Sequence, residues 1–274
     1  MNNQLENNDN KNIMYTDRVN NQDYHVRTRI IARNPVTQEV IWEEQNKVVI
    51  SGSAFSAAKH FNITPPVKTP TYNSTLGLEN TVSEPFGSAG IRREECVVLF
   101  CMGTDGCGPD QHQKLDVDYK RWIKPDSLVP FRYPNATSDL TAQQRGVYFG
   151  RKVVSSKVAY YFKKFDQDPV FVQRYLDGTP ISTDVHTNPK ETAAESYIEL
   201  KLKITKEDAR EYFEATTGIN DARVNTISLC TAWPKTYTDK VYYQDIRPFT
   251  KLNFPTELLI DQSKGIDITY QIFY

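Results

Sequence analysis

The stretch that decides the fold class is residues 196–204, with the sequence SYIELKLKI. Apolar side chains alternate strictly with polar or aromatic ones: the first set is Ile198, Leu200, Leu202 and Ile204, and the second is Tyr197, Glu199, Lys201 and Lys203. A period of two residues predicts a β-strand with one face buried and the other in water. The chain is therefore expected to build a sheet that is covered on one side.

Similar patterns recur along the chain. At residues 24–31 and 39–44 they predict a hairpin around Asn34-Pro35, and alternation at 266–273 predicts a closing strand held inside a sheet. The run ECVVLFCM at 95–102 is apolar on both faces, which is typical of a buried central strand. Further strands are predicted at 47–50, 226–233 and 241–249, and residues 150–165 read as one long strand with a polar edge.

Two segments have helical signals. SGSAFSAAKHF at 51–61 can begin with a Ser51 or Ser53 cap and bury Phe55, Ala58 and Phe61. Residues 206–217 follow a capping-box-like pair, Thr205 and Asp208, and end at Gly218. Together these elements predict a mainly β protein, with a β-sandwich-like core, one or two short α-helices and long projecting loops.

The domain organisation follows from composition. Residues 1–22 are rich in Asn, Asp and Gln and cannot bury enough surface to fold alone, so they are expected to form an extended N-terminal arm. Residues 62–92 contain four prolines and three glycines, which predicts a long surface loop. We expect a single β-rich domain at 23–274 with loop insertions at about 62–92 and 166–190.

The overall charge is close to balanced. Thirty-three Lys and Arg against 34 Asp and Glu give a net charge of -1, which provides no long-range field for nucleic acid or an anionic membrane. No window approaches 18 consecutive apolar residues, and the opening MNNQLENNDNKN lacks the pattern of a secretory signal. We expect no nucleic-acid or membrane partner and synthesis in a cytosol-like compartment.

The search for reactive groups yields one local cluster of potential metal ligands: Cys96, Cys101, Cys107 and His112. Cys96 and Cys101 are five positions apart and would face opposite sides of a strand, so free thiols are the favoured interpretation. The glycine-rich GTDGCG at 103–108 opens onto Pro109 instead of a helix, and is predicted to be a turn. We therefore expect no catalytic residue, no cofactor and no enzymatic activity.

Candidate contact residues come from two regions of the chain. Tyr119, Arg121 and Trp122 lie in an aromatic and basic connector, whose side chains suit either stacking on sugars or packing within a β protein. Arg247 and Phe249 lie in the carboxy-terminal block of strands, which is expected to supply contact surfaces for assembly.

The last third of the chain supports a more specific comparison. The helix ending in TTGIND, then ISLCTAWP, YYQDIRPFTKLNFP and the closing strand GIDITYQIFY resemble virion structural proteins of tailed bacteriophages, and NKVVISGSAF at 46–55 adds to the likeness. In such proteins an arginine and a Phe-Pro turn precede a terminal strand of alternating apolar residues. The resemblance covers about half of the chain.

The resemblance implies a component of the tail, baseplate, neck or capsid exterior. Such a protein would be made in the host cytoplasm, located in the virion, repeated around a symmetry axis as a homo-oligomer, and in contact with other virion structural proteins. The arm and the two loops would then be buried by neighbouring copies. The alternative function is a carbohydrate-binding or receptor-binding module of the particle.

Overall fold

A computed structural model describes residues 28–61, 71–79, 94–109, 113–117, 127–175, 178, 194–218, 222–237, 240–255 and 265–273. The predicted arm at 1–22 lies outside these residues. In the described part the chain is mainly β, with two antiparallel sheets packed together and three short α-helices. The predicted β-sandwich-like fold class is confirmed.

The elements follow one another with strands at both ends. The strands are β1 (Thr28–Arg33), β2 (Val40–Glu44), β3 (Lys47–Val48), β4 (Cys96–Gly103), β5 (Leu128–Val129), β6 (Tyr148–Val154), β7 (Lys157–Lys164), β8 (Val170–Tyr175), β9 (Ala194–Ile204), β10 (Thr226–Tyr237), β11 (Lys240–Asn253) and β12 (Ile266–Phe273). The helices are α1 (Ile50–Phe61), α2 (Tyr72–Leu76) and α3 (Arg210–Ala215).

The first sheet has five strands in the order β2-β1-β12-β9-β8, and every neighbouring pair is antiparallel. The predicted hairpin is confirmed as β1 and β2, whose turn begins where Asn34 Oδ1 accepts hydrogen bonds from the backbone N–H of Val36 and Thr37. The predicted closing strand, β12, lies at the centre of the sheet: Ile268 is opposite Ala32 on one side and Leu202 on the other.

The second sheet follows the order β3-β11-β10-β4-β7-β6, and β5 pairs with β4 off this path. The strand β4 lies between β10 on one side and β5 and β7 on the other, so the prediction of a buried central strand at 95–102 is confirmed. The Asp105-Gly106 turn after β4 is also present. Gly106 is required there, because a Cβ would lie 2.0 Å from the carbonyl oxygen of Asn225.

The main hydrophobic core fills the space between the two sheets and beneath α1. The alternating side chains of β9 and β12 point into it, as the sequence predicted: Leu200, Leu202 and Ile204 from β9, and Ile266, Ile268, Tyr270 and Ile272 from β12. The α1 helix buries Phe55 and Ala58 as predicted, and the Phe55 ring meets Phe249 edge to face with centroids 5.8 Å apart.

A smaller hydrophobic cluster lies on the opposite face of β4. Leu99 and Cys101 belong to it, whereas Phe100 and Met102 belong to the main core, because successive side chains of a strand point to opposite faces. The segment 71–79 covers this cluster: Tyr72 is 2% exposed and packs against Phe162. The prediction that 62–92 is a surface excursion is therefore wrong for residues 71–79, which form part of the packed structure.

The prediction of one strand at 150–165 is also wrong, because this segment forms the β6–β7 hairpin. The two strands turn at Ser155 and Ser156, and Ser155 has a φ of 55°, in the left-handed region. Both strands remain rich in β-branched and aromatic residues, so their composition gave no sign of the reversal. A pair of serines is a weaker turn signal than Asn-Gly or Asp-Gly.

Two other predicted boundaries change. The loop insertion expected at 166–190 begins with the strand β8, paired with β9, and residues 179–190 lie outside the described part. The helix expected at 206–217 shortens to α3. Asp208 accepts from the Thr205 N–H as the capping box predicts, but Ala209 has a φ of 60° and donates its N–H to Phe131, outside the helix.

Candidate functional site

The residues predicted as contacts fall into two groups, those outside the described part of the chain and those that are buried. Tyr119, Arg121 and Trp122 lie outside the described residues. Arg247 and Phe249 are 1% and 4% exposed, so the expectation that they contact a partner is corrected. Their strand, β11, is flanked by β3 and β10 and covered by α1, which leaves neither side chain at the surface of the folded chain.

Arg247 is instead one half of a buried ion pair. Its Nη1 donates to Glu95 Oε2 at 2.7 Å, and Oε1 of the same carboxylate accepts from Thr231 Oγ1 at 2.7 Å. Both charged side chains are at most 1% exposed. A charge buried this deeply needs an opposite charge and hydrogen bonds to offset its lost hydration. The three residues therefore fasten β10, β11 and the start of β4 together.

The exposed apolar side chains point to another surface, at the two open edges of the five-stranded sheet. In the described part, β2 pairs only with β1, and β8 pairs only with β9. Val40 and Ile41 on β2 are 50% and 44% exposed, and Val170 and Phe171 on β8 are 52% and 59% exposed. Open edges with apolar side chains are where sheets accept further strands. We call these surfaces the β2 edge and the β8 edge.

The two edges also carry charged residues of opposite sign, Glu43 on the β2 edge and Arg174 on the β8 edge. On the β2 edge, Glu43 accepts from Arg29 Nε at 2.7 Å, and this pair is about half exposed. On the β8 edge, Arg174 Nε donates to Glu195 at 2.6 Å and lies over the Tyr197 ring. The hydrogen bond to Arg29 lowers the pKa of Glu43, so its carboxylate remains charged at neutral pH.

A second candidate site is a cleft of about 860 Å³ between β6, β7 and the start of β11. Its lining combines aromatic and basic side chains: Tyr148, Phe149, Tyr160, Tyr242, Tyr243, Arg145, Arg151, Lys164 and Lys240. Phe149 and Tyr243 meet edge to face with centroids 4.7 Å apart, which holds one wall in place. Aromatic faces beside cations and hydroxyl groups suit a sugar or another polar ring.

The arginines of the cleft are oriented by Asp139. Its carboxylate accepts from Arg145 and Arg151 at 3.1 Å and from the Tyr160 hydroxyl at 2.8 Å. Burial alone would raise the pKa of Asp139, but hydrogen bonds from Leu140 N–H, Tyr160 and Arg151 outweigh it and lower the pKa. Burial and the same carboxylate raise the pKa of Tyr160 to about 12, so this hydroxyl remains a donor.

Lys164 and Lys240 differ from these arginines, since both are exposed and neither forms an ion pair with a described residue. Both are positioned in the lining of the cleft, where a ligand can contact them. The half-buried Tyr242 and Phe149 line the same cleft, which therefore combines aromatic surface with positive charge.

One of the potential metal ligands, Cys107, donates from its Sγ to the Phe254 carbonyl at 3.3 Å. Cys101 and Cys230 bring their Sγ atoms to 3.8 Å on neighbouring strands, and His112 lies outside the described residues. Burial raises the pKa of Cys96 and Cys230, so both thiols are protonated at neutral pH. Among the described residues, no group of three or more His, Cys, Asp or Glu side chains is arranged to bind a metal ion.

Sequence reasoning missed both candidate surfaces. Val170 and Phe171 were assigned to a loop, and the cleft depends on the β6–β7 hairpin and on β11, which lies far from that hairpin in the sequence. A signal was available for the first: VFVQRY at 170–175 is rich in β-branched and aromatic residues, which favours a strand. The cleft had no such local signal.

No helix in the described part of the chain is long and apolar enough to cross a membrane. Comparisons of the chain with protein-family models, with curated proteins and with solved structures found no match.

Proposed function

We propose that this chain is a structural subunit of a tailed-bacteriophage virion. It assembles with copies of itself and with neighbouring proteins of the tail, baseplate, neck or capsid exterior. The observation that carries the proposal is the pair of apolar edges on one sheet, at Val40-Ile41 and Val170-Phe171, neither of which pairs with a further strand among the described residues. A large apolar residue on an open edge is an association hazard unless another chain covers it.

The carboxy-terminal block adds support from the sequence. The three strand segments of this block that resemble virion proteins become β10, β11 and β12, and these strands occupy interior positions in the two sheets. The resemblance therefore concerns strands in the interior of the sheets, and the β2 and β8 edges lie outside it. The virion role has a direct test: particles purified from the producing cells should contain the chain in repeated copies, as measured by quantitative mass spectrometry.

The arm provides the first prediction. Deletion of residues 1–22 should leave a chain that folds and unfolds as the full chain does, because the described core begins at Thr28. Incorporation into particles should fall at least tenfold, since the polar arm is expected to gain its order from a neighbouring subunit. Incorporation is measured by mass spectrometry of purified particles.

The matched control replaces residues 1–22 with a Gly/Ser segment of equal length. If this chain enters particles as well as the full-length protein does, the arm's sequence makes no assembly contact. The predicted role of the arm would then be wrong.

The cleft favours a second candidate function, a carbohydrate-binding or receptor-binding module of the particle. Tyr242→Ala should abolish retention of any glycan that the full chain binds on an array, because it removes the half-buried aromatic face beside Lys240. Tyr133→Ala, at a half-buried tyrosine outside the cleft, should retain binding. A full chain that retains no glycan, or equal retention by Tyr242→Ala, contradicts this candidate.

A further inference from the structure

The pairing within the five-stranded sheet sets the relative direction of its two edge strands, β2 and β8. Four antiparallel steps separate β2 from β8, so the two edge strands run in the same direction. A second copy placed beside the first in the same orientation therefore brings its β2 edge parallel to the β8 edge of the first. Parallel strands form a regular hydrogen-bonded ladder, so the backbone permits this contact.

The core-facing and outer-facing sides of β2 and β8 also match between two copies placed in this way. On β2, Trp42 faces the core, where it stacks on Phe254 with ring centroids 4.9 Å apart, and Glu43 is on the outer face. On β8, Phe171 is opposite the core-facing Ile198, and Arg174 is on the outer face over Tyr197. A sheet continued across two copies would thus place Glu43 and Arg174 on the same face.

One parallel register of β2 against β8 brings complementary side chains together. Placing Glu43 beside Arg174 in parallel strands sets Val40 and Ile41 alongside Phe171 and Val172. A shift in the β1–β2 pairing next to Ile41 exposes both apolar residues of β2 at the edge. The contact then joins apolar to apolar and acidic to basic, and it links the Arg29–Glu43 and Arg174–Glu195 pairs into one network.

We propose that copies of this chain associate head to tail, with the β8 edge of one copy paired in parallel with the β2 edge of the next. The inference rests on the proposed structural role and specifies the partner of that role as a second copy. Because the two surfaces differ, the contact is heterologous: it closes into a ring when the rotation between copies allows, and otherwise continues as a fibre.

The test uses two variants, and in each of them a new charge blocks one of the two edges. Phe171→Lys places a charge on the β8 edge, and Ile41→Lys places one on the β2 edge. Each variant alone should be monomeric by sedimentation velocity at concentrations where the full chain self-associates, with the apparent dissociation constant raised at least tenfold. Mixed in equal amounts, they should form a 1:1 dimer and nothing larger, because each still supplies one intact edge.

Val153→Lys is the matched control. Val153 is 44% exposed, as Ile41 is, but lies on β6 in the other sheet. This variant should associate as the full chain does. Circular dichroism and thermal unfolding of all three variants should match the full chain, since every substituted side chain is already exposed.

Several results would overturn the inference. A mixture that remains monomeric shows that the two edges do not complement each other. Normal association of Ile41→Lys with loss in Phe171→Lys indicates a symmetric contact between two β8 edges. A full chain that is monomeric at every concentration also refutes the pairing.

The outcomes separate this inference from the proposed function. If the chain is present in particles but the edge variants associate normally, only the edge pairing fails. If the variants behave as expected but the chain is absent from particles, the virion role fails and the pairing remains.

Discussion

Arg247→Ala is expected to lower the free energy of unfolding by about 3–5 kcal/mol, the usual cost of removing one partner of a buried ion pair. The substitution leaves Glu95, which is 1% exposed, without the guanidinium that donates to it at 2.7 Å. The Thr231 hydroxyl, which donates to the same carboxylate at 2.7 Å, is uncharged and cannot replace the positive charge of the guanidinium. Urea unfolding followed by tryptophan fluorescence measures the change.

The control for this prediction removes both charges. The double variant Glu95→Leu with Arg247→Met should be more stable than Arg247→Ala or Glu95→Ala, because apolar side chains of similar size cost little where a buried pair has been. A double variant as unstable as the sum of the two single variants would show that the charges act independently. The pair would then not be the element that joins these strands.

Asp208→Ala is expected to cost about 3–5 kcal/mol of unfolding free energy, because it too removes one partner of a buried ion pair. Asp208 is fully buried and is the common acceptor of three donors: Tyr148 hydroxyl at 2.8 Å, Thr205 N–H at 2.8 Å and Lys163 Nζ at 2.5 Å. Removing it leaves the Lys163 charge buried with only the Lys203 carbonyl as a hydrogen-bond acceptor among the described residues.

A graded series checks the Asp208 prediction. Tyr148→Phe should cost only about 1 kcal/mol, since it removes one hydrogen bond and leaves the ion pair intact. Glu214→Ala breaks an exposed pair with Arg210 and should change stability little. Hydrogen exchange should show that Asp208→Ala accelerates exchange first in α3 and β7. Equal destabilisation by Tyr148→Phe and Asp208→Ala would contradict the central role of the carboxylate.

Local patterns were sufficient for much of the fold. Alternation in β9 and β12, and the apolar run of β4, identified strands and buried faces correctly, because a period of two places every second side chain on the same face. The same reasoning failed at Ser155-Ser156, where a turn divides a segment whose composition is uniformly typical of strands. It failed again at Ala209, whose left-handed φ delays the start of α3.

The candidate surfaces were less accessible to sequence reasoning. Arg247 was predicted as a contact residue, because it lies in the carboxy-terminal block of strands expected to supply assembly contacts, and arginine side chains are usually exposed. Its burial depends on Glu95, which lies 152 positions away in the sequence. The cleft likewise requires three strands whose proximity is set by the pairing of the whole second sheet.

The sequence by itself determined the mainly β class, the core-facing residues of most strands, the α1 helix and the near-neutral charge. These properties depend on side-chain period and composition over short windows. Only the tertiary structure decided the order of strands, and with it which edges are open, which charges are buried together and which aromatic residues line one cleft. Strand order depends on pairing between distant segments, and no local pattern encodes the partner of an edge.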